Sequence, residues 1–357
     1  MTARGLGTMV IGGMGIVGGI WGIVLAPAVV AVAVAVATPP FIFYKKYLVG
    51  KATNKMRNFK GVVIGITGSY GKSSTKELVK QVLGSRFQVL ATEKNVNSEI
   101  GVAQTVLKNL QGDEDFFVVE MGAYKIGEIA DICRIVRPKV GIITGISDQH
   151  LALFGSLENI KRAKYELIDS LPPDGIALVA DKDFSIRDIG KIRVFWDRTE
   201  FEYKETRFAI KIMGKALVPN VIAAIKMGEH FGLSLKDIAV ALSAFNGLKI
   251  EKRSEMVIVD NSYNNSKEGF LAAIDYLQCF KNVRKIVVTA GIIELGANAQ
   301  SDHEEIGKAL RLVDKVYVTS KKYFNELNLS GNAVLSTDFS AETSGVILLQ
   351  GRTSVKL

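Results

Sequence analysis

Cysteine and histidine are scarce in this sequence. It contains two cysteines and three histidines in 357 residues. Cys133 and Cys279 lie in stretches with helical periodicity, and no Cys or His residues share a zinc-binding spacing. The scarcity argues against a zinc-binding module. It is typical of a chain from a reducing compartment, in which free thiols pack as small apolar side chains.

Acidic residues are absent from the first 60 positions, although these positions hold seven basic residues. No residue of either charge lies between Arg4 and Lys45. One straight helix over this apolar run would measure roughly 60 Å, whereas the core of a bilayer is about 30 Å thick. The run therefore predicts a membrane anchor, with one or two helices, over residues 1–45.

The apolar run can be arranged in more than one way. Two spans at 9–25 and 28–44, broken at Pro27, would fit its length. One tilted span beside an interfacial glycine-rich segment is the alternative, because no polar loop separates the two halves. A cleaved signal peptide is a third arrangement, with Arg4 in its basic region and a cleavage site near Ala33–Ala37.

The basic residues indicate the side of the membrane on which the rest of the chain lies. The net charge is +9, and nearly all of it comes from the first 60 residues. The remainder is almost neutral, so we expect no nucleic-acid partner. A basic cluster beside an apolar run fits the positive-inside rule and contact with anionic membrane lipid. We therefore predict a basic connector at 46–60 and a location at the cytoplasmic face of the plasma membrane.

The rest of the sequence has the alternating pattern of an α/β protein. Short apolar runs predict strands, and most are separated by helical stretches, which indicates a mostly parallel sheet with helices on both faces. The predicted strands of the first unit are 62–67, 89–92, 116–120, 140–145 and 176–180, and those of the second are 257–260, 285–290, 315–319 and 345–349. We predict a central P-loop ATPase domain at 61–248 and a smaller Rossmann-like C-terminal domain at 249–357.

A glycine-rich segment, Gly65–Ser74, follows the first of these strands and opens a helix. Glycines let the backbone curl so that several N–H groups face phosphate oxygens, and the helix N-terminus adds positive charge there. Lys72 would reach the β- and γ-phosphates of ATP, and the Ser73 hydroxyl would ligate Mg²⁺. The nucleotide-binding residues predicted from this turn are Gly68, Ser69, Tyr70, Gly71, Lys72, Ser73 and Ser74.

This turn does not meet the strict pattern G-x-x-x-x-G-K-[ST], because Ile66 occupies the first glycine position. An ordinary glycine-rich connection is therefore the alternative. A Gly-Lys-Ser sequence at a helix start favours nucleotide binding instead. Cleavage of a signal peptide would export such a domain to a compartment without ATP, which argues against that arrangement of the N-terminus.

Seven ordered segments resemble motifs of the Mur ligase family, and together they span roughly residues 60–320. The family writes its phosphate loop T-G-S-x-G-K-[ST]-[ST]-T, and residues 67–75 read TGSYGKSST. The other segments are 92–101 (TEKNVNSEIG), 118–123 (VVEMGA), 146–156 (ISDQHLALFGS), 163–166 (AKYE), 260–265 (DNSYNN) and 291–307, which begins GIIELG. The last two are similar to the family members that add D-alanyl-D-alanine.

The resemblance implies an ATP-dependent amide ligase. ATP would phosphorylate a substrate carboxylate, an amine would attack the acyl phosphate, and phosphate would leave through a tetrahedral intermediate. Each stage concentrates negative charge on oxygen, which cations, backbone N–H groups and aligned reactants stabilise. In the members that add D-alanyl-D-alanine, the product is an extended muramyl peptide for peptidoglycan synthesis.

The resemblance also implies three metal ligands besides Ser73. Glu120 ends a buried strand and would hold Mg²⁺, His150 would contact metal or phosphate, and Lys164 would be carbamylated and bind a second Mg²⁺. Carbamylation requires the neutral amine, so the site must lower the pKa of this lysine. The simpler alternatives are a helix-capping or surface acid, a structural histidine, and a solvated helix face that includes Lys161 and Arg162.

Further roles follow from the same resemblance. Asn220 would contact adenine and also cap its helix, although the family's upstream His-Asn pair is replaced here by Lys215-Ala216. Arg253 would reach the γ-phosphate when the domains close, and Asp260 would line the nucleotide cleft. The predicted catalytic residues are Lys72, His150, Lys164 and Arg253, and the predicted substrate contacts are Asn97, Asn264 and Asn265.

The sequence departs from the family pattern near both ends. An anchor and a short connector stand where the family has a domain that grips the UDP end of its substrate, and residues 350–353 replace the family's K-G-S-R-G. The acceptor is therefore either a UDP-linked muramyl peptide, bound without that domain or with a partner's help, or a membrane-held precursor that the anchor brings close.

Two other functions are alternatives to this ligase. One is a catalytically inactive, membrane-bound nucleotide-binding scaffold for cell-wall enzymes, against which the intact candidate residues argue. The other is a ligase of the same fold that acts on folate, poly-glutamate or another acid, against which 260–265 and 291–296 argue by resemblance. We expect a monomer whose partners are ATP, Mg²⁺, a muramyl peptide, a dipeptide and membrane lipid.

Overall fold

Two parallel-sheet units follow a long N-terminal helix. The computed structural model describes residues 19–147, 151–180, 182–184, 189–262, 264–293, 295 and 298–351. Within these residues the chain forms eleven α-helices (α1–α11), fourteen β-strands (β1–β14) and short 3-10 turns. The α/β class and the parallel sheets predicted from the sequence are confirmed.

The central unit contains five parallel strands in the order β2-β3-β1-β4-β5. Strands of this kind are covered on both faces, which is why they are continuous apolar runs in the sequence. The strands are β1 (Val62–Thr67), β2 (Val89–Ala91), β3 (Phe116–Glu120), β4 (Val140–Ile143) and β5 (Ile176–Val179). The helices between them are α2 (Lys72–Leu83), α3 (Glu99–Asn109), α4 (Glu128–Val136), α5 (Leu151–Phe154) and α6 (Leu157–Asp169).

Serine side chains fix the starts of two of these helices. Ser98 accepts a hydrogen bond from Gly101 N at the start of α3, and Ser156 accepts one from Asn159 N at the start of α6. Such caps satisfy backbone N–H groups that have no partner inside the helix. They fix the positions at which α3 and α6 begin, next to the carboxyl edge of the sheet.

One face of the central sheet carries α2 and the later elements of the unit. These are the antiparallel strands β6 (Arg193–Val194), β7 (Thr199–Tyr203) and β8 (Thr206–Ile210), followed by α7 (Val218–His230) and α8 (Leu235–Ser243). The other face carries α3, α4, α6 and the last turns of the N-terminal helix. Cys133 lies in this second layer, where burial raises the pKa of its thiol to about 12.

The N-terminal helix α1 spans Gly19–Arg57 and continues through Pro27, Pro39 and Pro40. The two-span arrangement with a break at Pro27 is therefore wrong for the described residues. A proline removes one helical hydrogen bond and can bend a helix, but the chain remains helical on both sides of each proline here. The stretch Pro27–Arg57 is long and apolar enough to cross a membrane by length and composition.

The predicted basic connector is helical up to Arg57 and is not a separate linker. Ala52 is fully buried and Met56 is 95% buried against the second layer of the central unit. Lys45 forms an ion pair with Glu99 at 2.5 Å, and Lys55 Nζ donates to the carbonyl oxygen of Leu107 at 3.4 Å. The apolar helix is thus continuous with a helix of the domain itself.

The C-terminal unit contains six strands in the order β13-β12-β11-β14-β10-β9, all parallel except β9. The sequence did not predict β9, because an edge strand with charged, exposed side chains has no apolar run. The strands are β9 (Ile250–Arg253), β10 (Glu255–Asn261), β11 (Lys285–Thr289), β12 (Lys315–Val318), β13 (Ala333–Leu335) and β14 (Ser344–Gln350), and the helices are α9 (Lys267–Leu277), α10 (Ala299–Ala309) and α11 (Phe324–Leu327).

Candidate active site

The glycine-rich turn between β1 and α2 lies at the carboxyl edge of the central sheet. Gly68 and Gly71 have φ angles of +151° and +81°, which other residues rarely adopt. A Cβ on Gly68 would lie 2.0 Å from Thr144 Oγ1, and a Cβ on Gly71 would lie 2.4 Å from Asn220 Nδ2. Glycine is therefore required at both positions by conformation and by space.

A second glycine turn supports the loop from β4. Ser69 N donates to the carbonyl oxygen of Gly145 at 2.8 Å, and Ser69 Oγ donates to that of Ser147 at 3.1 Å. A Cβ on Gly145 would lie 1.9 Å from the ring of Tyr70. The aromatic ring and the neighbouring turn thus hold the loop in one shape.

Lys72 begins α2, and its ammonium group lies inside the curled loop. Its Nζ donates to the carbonyl oxygens of Gly68 at 2.7 Å and Ser69 at 3.1 Å. Burial lowers the pKa of Lys72, and the nearby carboxylate of Glu120 opposes that shift. The ammonium is therefore positioned where phosphate oxygens of a nucleotide would replace the backbone oxygens as partners.

Glu120 ends β3 and connects the loop with the neighbouring turn. The hydroxyl of Ser73 donates to its Oε2 at 2.9 Å, and the amide of Asn97 donates to its Oε1 at 3.2 Å. The backbone N–H of Glu120 donates to Thr92 Oγ1 at 3.0 Å. Three sequence-predicted residues, Ser73, Asn97 and Glu120, are thus brought into direct contact.

Lys76 is a member of this cluster that the sequence reasoning missed. Its side chain is fully buried, and its Nζ lies 3.5 Å from Glu120 Oε2. Nζ also donates to the carbonyl oxygen of Glu93 at 3.2 Å. A signal was available, because a residue three positions after Ser73 on a helix shares its face and must point to the same strand end.

A carboxylate beside a hydroxyl fits magnesium. Among the described residues, no group of three or more His, Cys, Asp and Glu side chains could enclose a metal ion. Mg²⁺ keeps several waters and is usually held by one or two carboxylates and by substrate phosphates. The pair of Ser73 and Glu120, beside the phosphate-binding turn, is a donor set of that kind.

Asn220 lies in the first turn of α7 and contacts the phosphate loop. Its Nδ2 donates to Gly71 O at 3.1 Å and to Thr75 Oγ1 at 2.7 Å. The prediction that Asn220 caps its helix is wrong, because a proline in the first turn starts the helix earlier and Leu217 is the capping residue. The adenine contact stays a prediction, and the observed role is to position the loop.

Lys164 lies on the buried face of α6 and is 97% buried. Burial, followed by the positive charge of Lys72, lowers its pKa to about 7. Its Nζ lies 5.9 Å from the centre of the Phe154 ring. The alternative of a solvated face is wrong for this residue, although Lys161 and Arg162 of the same helix are exposed.

Glu166 does not hydrogen-bond to Lys164 but holds the start of α4. Its two carboxylate oxygens accept from Gly127 N at 2.6 Å and from Ala130 N at 3.0 Å. A negative charge at a helix N-terminus is stabilising. His150 lies outside the described residues, so its role stays a prediction.

The C-terminal unit contributes a second group of polar residues, at the ends of β10, β11 and β14. Asp260 Oδ1 accepts from Ser262 N at 2.9 Å and from Ser262 Oγ at 2.5 Å. Burial opposes ionisation of Asp260, but these hydrogen bonds and the ammonium of Lys249 outweigh it and lower the pKa of the carboxyl group. Asp260 is therefore held as a carboxylate.

Asn264 and Asn265 follow the same strand but differ in their partners. Asn264 Oδ1 accepts from Ser266 N at 3.2 Å and Ser266 Oγ at 3.0 Å, so its acceptor is used within the loop. Asn265 Oδ1 is buried and has no hydrogen-bond partner among the described residues. An acceptor without a partner, in the loop between β10 and α9, is suited to a substrate N–H.

Arg253 ends the edge strand β9 and is largely exposed. Its Nε donates to Glu251 Oε1 at 2.6 Å, and this contact raises the pKa of the guanidinium. Glu120 and Asn220 thus contact residues of the phosphate loop directly, and Asn97 contacts Glu120. The four remaining candidates belong to the other sheet unit, and they are Arg253, Asp260, Asn264 and Asn265. The role of each in binding or catalysis stays a prediction.

The chain is similar to known proteins over both units. One family model, Mur ligase middle domain, matches residues 66–194, and another, Mur ligase, glutamate ligase domain, matches residues 248–337. The UDP-N-acetylmuramoyl-tripeptide–D-alanyl-D-alanine ligase of Bacillus subtilis (strain 168) is 32% identical over 72% of this chain and 63% of the relative. The chain thus spans less than two thirds of that relative's length. The protein of the same name from Synechocystis is 28% identical over 81% of this chain and 68% of its own.

The chain is also similar to solved structures of MurF ligases. The MurF ligase from Thermotoga maritima in complex with ADP has a TM-score of 0.77 and 27% identity, and the match covers 86% of this chain and 80% of that chain. MurF from Acinetobacter baumannii has the same TM-score of 0.77 at 24% identity over 78% of that chain, which shows likeness of fold. Because both family models match in order and together cover most of the two units, this chain belongs to the Mur ligase family.

Proposed function

We propose that this chain is an ATP-dependent amide ligase that adds D-alanyl-D-alanine to a muramyl tripeptide. The observation that carries the proposal is the contact between Ser73 and Glu120 at 2.9 Å, beside the buried ammonium of Lys72. It combines a cation, a hydroxyl and a carboxylate at one helix N-terminus. The named relatives supply the substrate class.

The reaction would proceed in two steps that the site can support. The substrate carboxylate attacks the γ-phosphorus of ATP, so that an acyl phosphate and ADP form. The amine of the dipeptide then attacks the acyl carbon, an amide forms, and phosphate leaves. Lys72 and the backbone N–H groups of the loop would bind and orient the phosphates, and both reactions require such positioning more than they require a protein nucleophile.

Ser73 and Glu120 would hold a magnesium ion, which when bound supplies positive charge for the phosphate oxygens. Lys164, once carbamylated, would itself be the ligand of a second magnesium ion. Its pKa of about 7 leaves much of the amine neutral near neutral pH, and only the neutral amine reacts with CO₂. We infer that this lysine is the carbamylated residue.

Residues of the C-terminal unit would complete the site. The orphaned Oδ1 of Asn265 is suited to the amine or amide N–H of a substrate, Asp260 would contribute to the nucleotide cleft, and Arg253 would exchange Glu251 for a phosphate when the units close. Buried, unpartnered acceptors are costly unless a ligand satisfies them. That cost supports a binding role for Asn265.

We further propose that α1 attaches the enzyme to the cytoplasmic face of the plasma membrane. Its apolar part ends at the exposed aromatic residues Phe41, Phe43 and Tyr44, and Lys45 and Lys46 follow at once. Aromatic and basic residues are enriched at the membrane–water interface. This order along one helix supports an anchor rather than a soluble helix.

The test is phosphate release by the purified full-length chain in detergent. We expect release from MgATP only when UDP-N-acetylmuramoyl-tripeptide and D-alanyl-D-alanine are both present, and a product whose mass corresponds to an amide of the two. Nucleotide binding without release would support a scaffold instead. Release with folate and glutamate, but not with the muramyl peptide, would support the third alternative.

A further inference from the structure

The direction of α1 decides which edge of the central sheet lies nearest its apolar segment. Lys45 pairs with Glu99, the first residue of α3, at 2.5 Å. Further along α1, Lys55 Nζ donates to the carbonyl oxygen of Leu107, near the end of α3, at 3.4 Å. Two contacts in the same order along both helices show that α1 and α3 run side by side in the same direction.

The start of α3 lies at the edge that carries the phosphate loop. α3 connects the parallel neighbours β2 and β3 and must therefore begin at their carboxyl ends. The structure shows this directly, because Asn97, just before α3, donates to Glu120 at the end of β3. The catalytic edge of the sheet is thus at the level of Lys45, where the apolar part of α1 leaves the domain.

The opposite edge of the sheet lies farther from the apolar segment. From Lys45 to Arg57, α1 continues along the domain for about 20 Å at 1.5 Å per residue. It ends near the turn that leads into β1. If the aromatic and basic residues near Lys45 mark the membrane surface, the catalytic edge is close to that surface and the other edge is about 20 Å away.

Exposed apolar side chains occur at this same edge. Tyr124 and Ile126 lie between β3 and α4, and α4 packs beside α1 in the second layer. Leu153 in α5 and Leu157 at the start of α6 follow β4 and are also exposed. Four large apolar side chains at one edge are compatible with contact to a membrane surface, and they add to the argument from the direction of α1.

We propose that the catalytic edge of the central sheet faces the membrane surface, and that the acyl substrate is a muramyl peptide held in the membrane by a lipid chain. This inference rests on the proposed ligase function and names the form in which its substrate arrives. A substrate confined to the surface would meet the site at a raised effective concentration without any new contact to the protein. It would meet the opposite edge rarely.

The test compares two substrates that differ only in their membrane affinity. One is the octadecyl glycoside of a muramyl tripeptide in phosphatidylethanolamine–phosphatidylglycerol vesicles, and the other is the methyl glycoside of the same tripeptide in solution. The full-length chain is inserted in the same vesicles with MgATP and D-alanyl-D-alanine, and phosphate release is measured. We expect kcat/KM to be about tenfold or more higher for the octadecyl substrate.

The matched variant carries a 20-residue Gly-Ser insertion between Tyr44 and Lys45. It keeps the anchor and the docked turns of α1, but it lets the domain move roughly 25 Å from the membrane and turn freely. We expect the preference for the octadecyl substrate to fall to about threefold or less, with turnover of the methyl substrate unchanged within about twofold.

A second readout measures orientation without activity. Bromine-labelled lipids should quench a fluorophore on Lys125→Cys, at the catalytic edge, several-fold more than one on Asp113→Cys, at the opposite edge, both in a Cys279→Ser background. Equal quenching, or turnover of the methyl substrate with no octadecyl preference, would overturn the inference and leave the ligase function standing. No phosphate release with either glycoside would overturn this substrate assignment, and the absence of release with UDP-N-acetylmuramoyl-tripeptide as well would overturn the ligase function.

Discussion

The ammonium of Lys76 lies 3.5 Å from the Glu120 carboxylate, and both side chains are buried. The carboxylate proposed to hold magnesium is therefore already paired with a cation of its own protein. The pair stabilises Glu120 when no other cation is present, and it competes with a metal ion for the same oxygen. Stability and metal affinity should thus change in opposite directions when this lysine is removed.

Lys76→Met is expected to lower the free energy of unfolding by about 3 kcal/mol, because it removes the cation that is paired with a buried carboxylate. MgATP should restore more stability to this variant than to the wild type, since the metal replaces the missing charge. Denaturant unfolding with and without MgATP measures both effects. Lys80→Met, on the exposed side of the same helix, is the control and should change stability by less than about 0.5 kcal/mol. Equal MgATP effects in all three proteins would contradict the competition.

Glu120→Gln keeps the shape of the side chain and removes its charge. We expect the Mg²⁺ concentration for half-maximal phosphate release to rise at least about tenfold, because a neutral amide oxygen is a weaker ligand than a carboxylate. A titration of activity against Mg²⁺ checks this. Glu93→Gln, at an exposed position of the same edge, should leave the titration unchanged. An unshifted midpoint for Glu120→Gln would remove this residue from the metal site.

Carbamylation of Lys164, as proposed, would make the activity depend on both pH and CO₂. Burial lowers its pKa to about 7, so the ammonium form dominates below that pH and the reactive amine above it. Activity should therefore rise as pH increases through about 7, and it should fall when CO₂ is removed from the buffer. A carbamate resonance in ¹³C NMR with labelled bicarbonate would identify the modified group.

The comparison for this prediction lies on the same helix. Lys164→Met should abolish both the CO₂ dependence and the carbamate resonance, whereas Lys161→Met, at an exposed position, should preserve both. A carbamate resonance that persists in Lys164→Met would assign the modification to another residue.

Gly71→Ala should damage the phosphate loop in two ways. The residue has φ +81°, and its new Cβ would lie 2.4 Å from Asn220 Nδ2. We expect a loss of about 1–3 kcal/mol in stability and at least about tenfold weaker binding of MgATP. Gly112→Ala separates the two causes, because Gly112 has φ +103° but open space around it.

Nucleotide binding by isothermal calorimetry measures the difference. Gly112→Ala should bind MgATP normally despite its strained backbone. Asn220→Ala in the Gly71→Ala background should recover part of the lost affinity, since it removes the steric conflict. If the double variant binds no better than Gly71→Ala, the conflict with Asn220 is not the cause.

The sequence predicted the strands of the central unit well because each is a buried run bounded by turn residues. β1 and β3 match the predicted bounds, and the loop after β1 has the predicted strand–turn–helix context. The phosphate site could be predicted from the sequence because its residues are contiguous. Glu120 was found because it ends a strand, where parallel sheets collect polar side chains.

The features of the site that could not be predicted depend on contacts between segments that are distant in the sequence. The burial of Lys76 against Glu120 joins two elements that the chain separates, and a lysine in a helix ordinarily indicates a solvated face. The role of Asn220 as a support of the loop depends on α7 packing against α2. The sequence left one span and two spans open, because a proline such as Pro27 ends most helices of water-soluble proteins but is tolerated inside a membrane-spanning helix.

The burial of Ala52 and Met56 in the central unit has a consequence for biosynthesis. These residues leave the ribosome before any strand of the sheet that covers them. If α1 enters the membrane as it emerges, its last turns wait at the surface as an unfinished part of a core, and the sheet condenses onto them. The central unit would then complete its folding at the membrane surface, and its orientation relative to the bilayer would be set during synthesis.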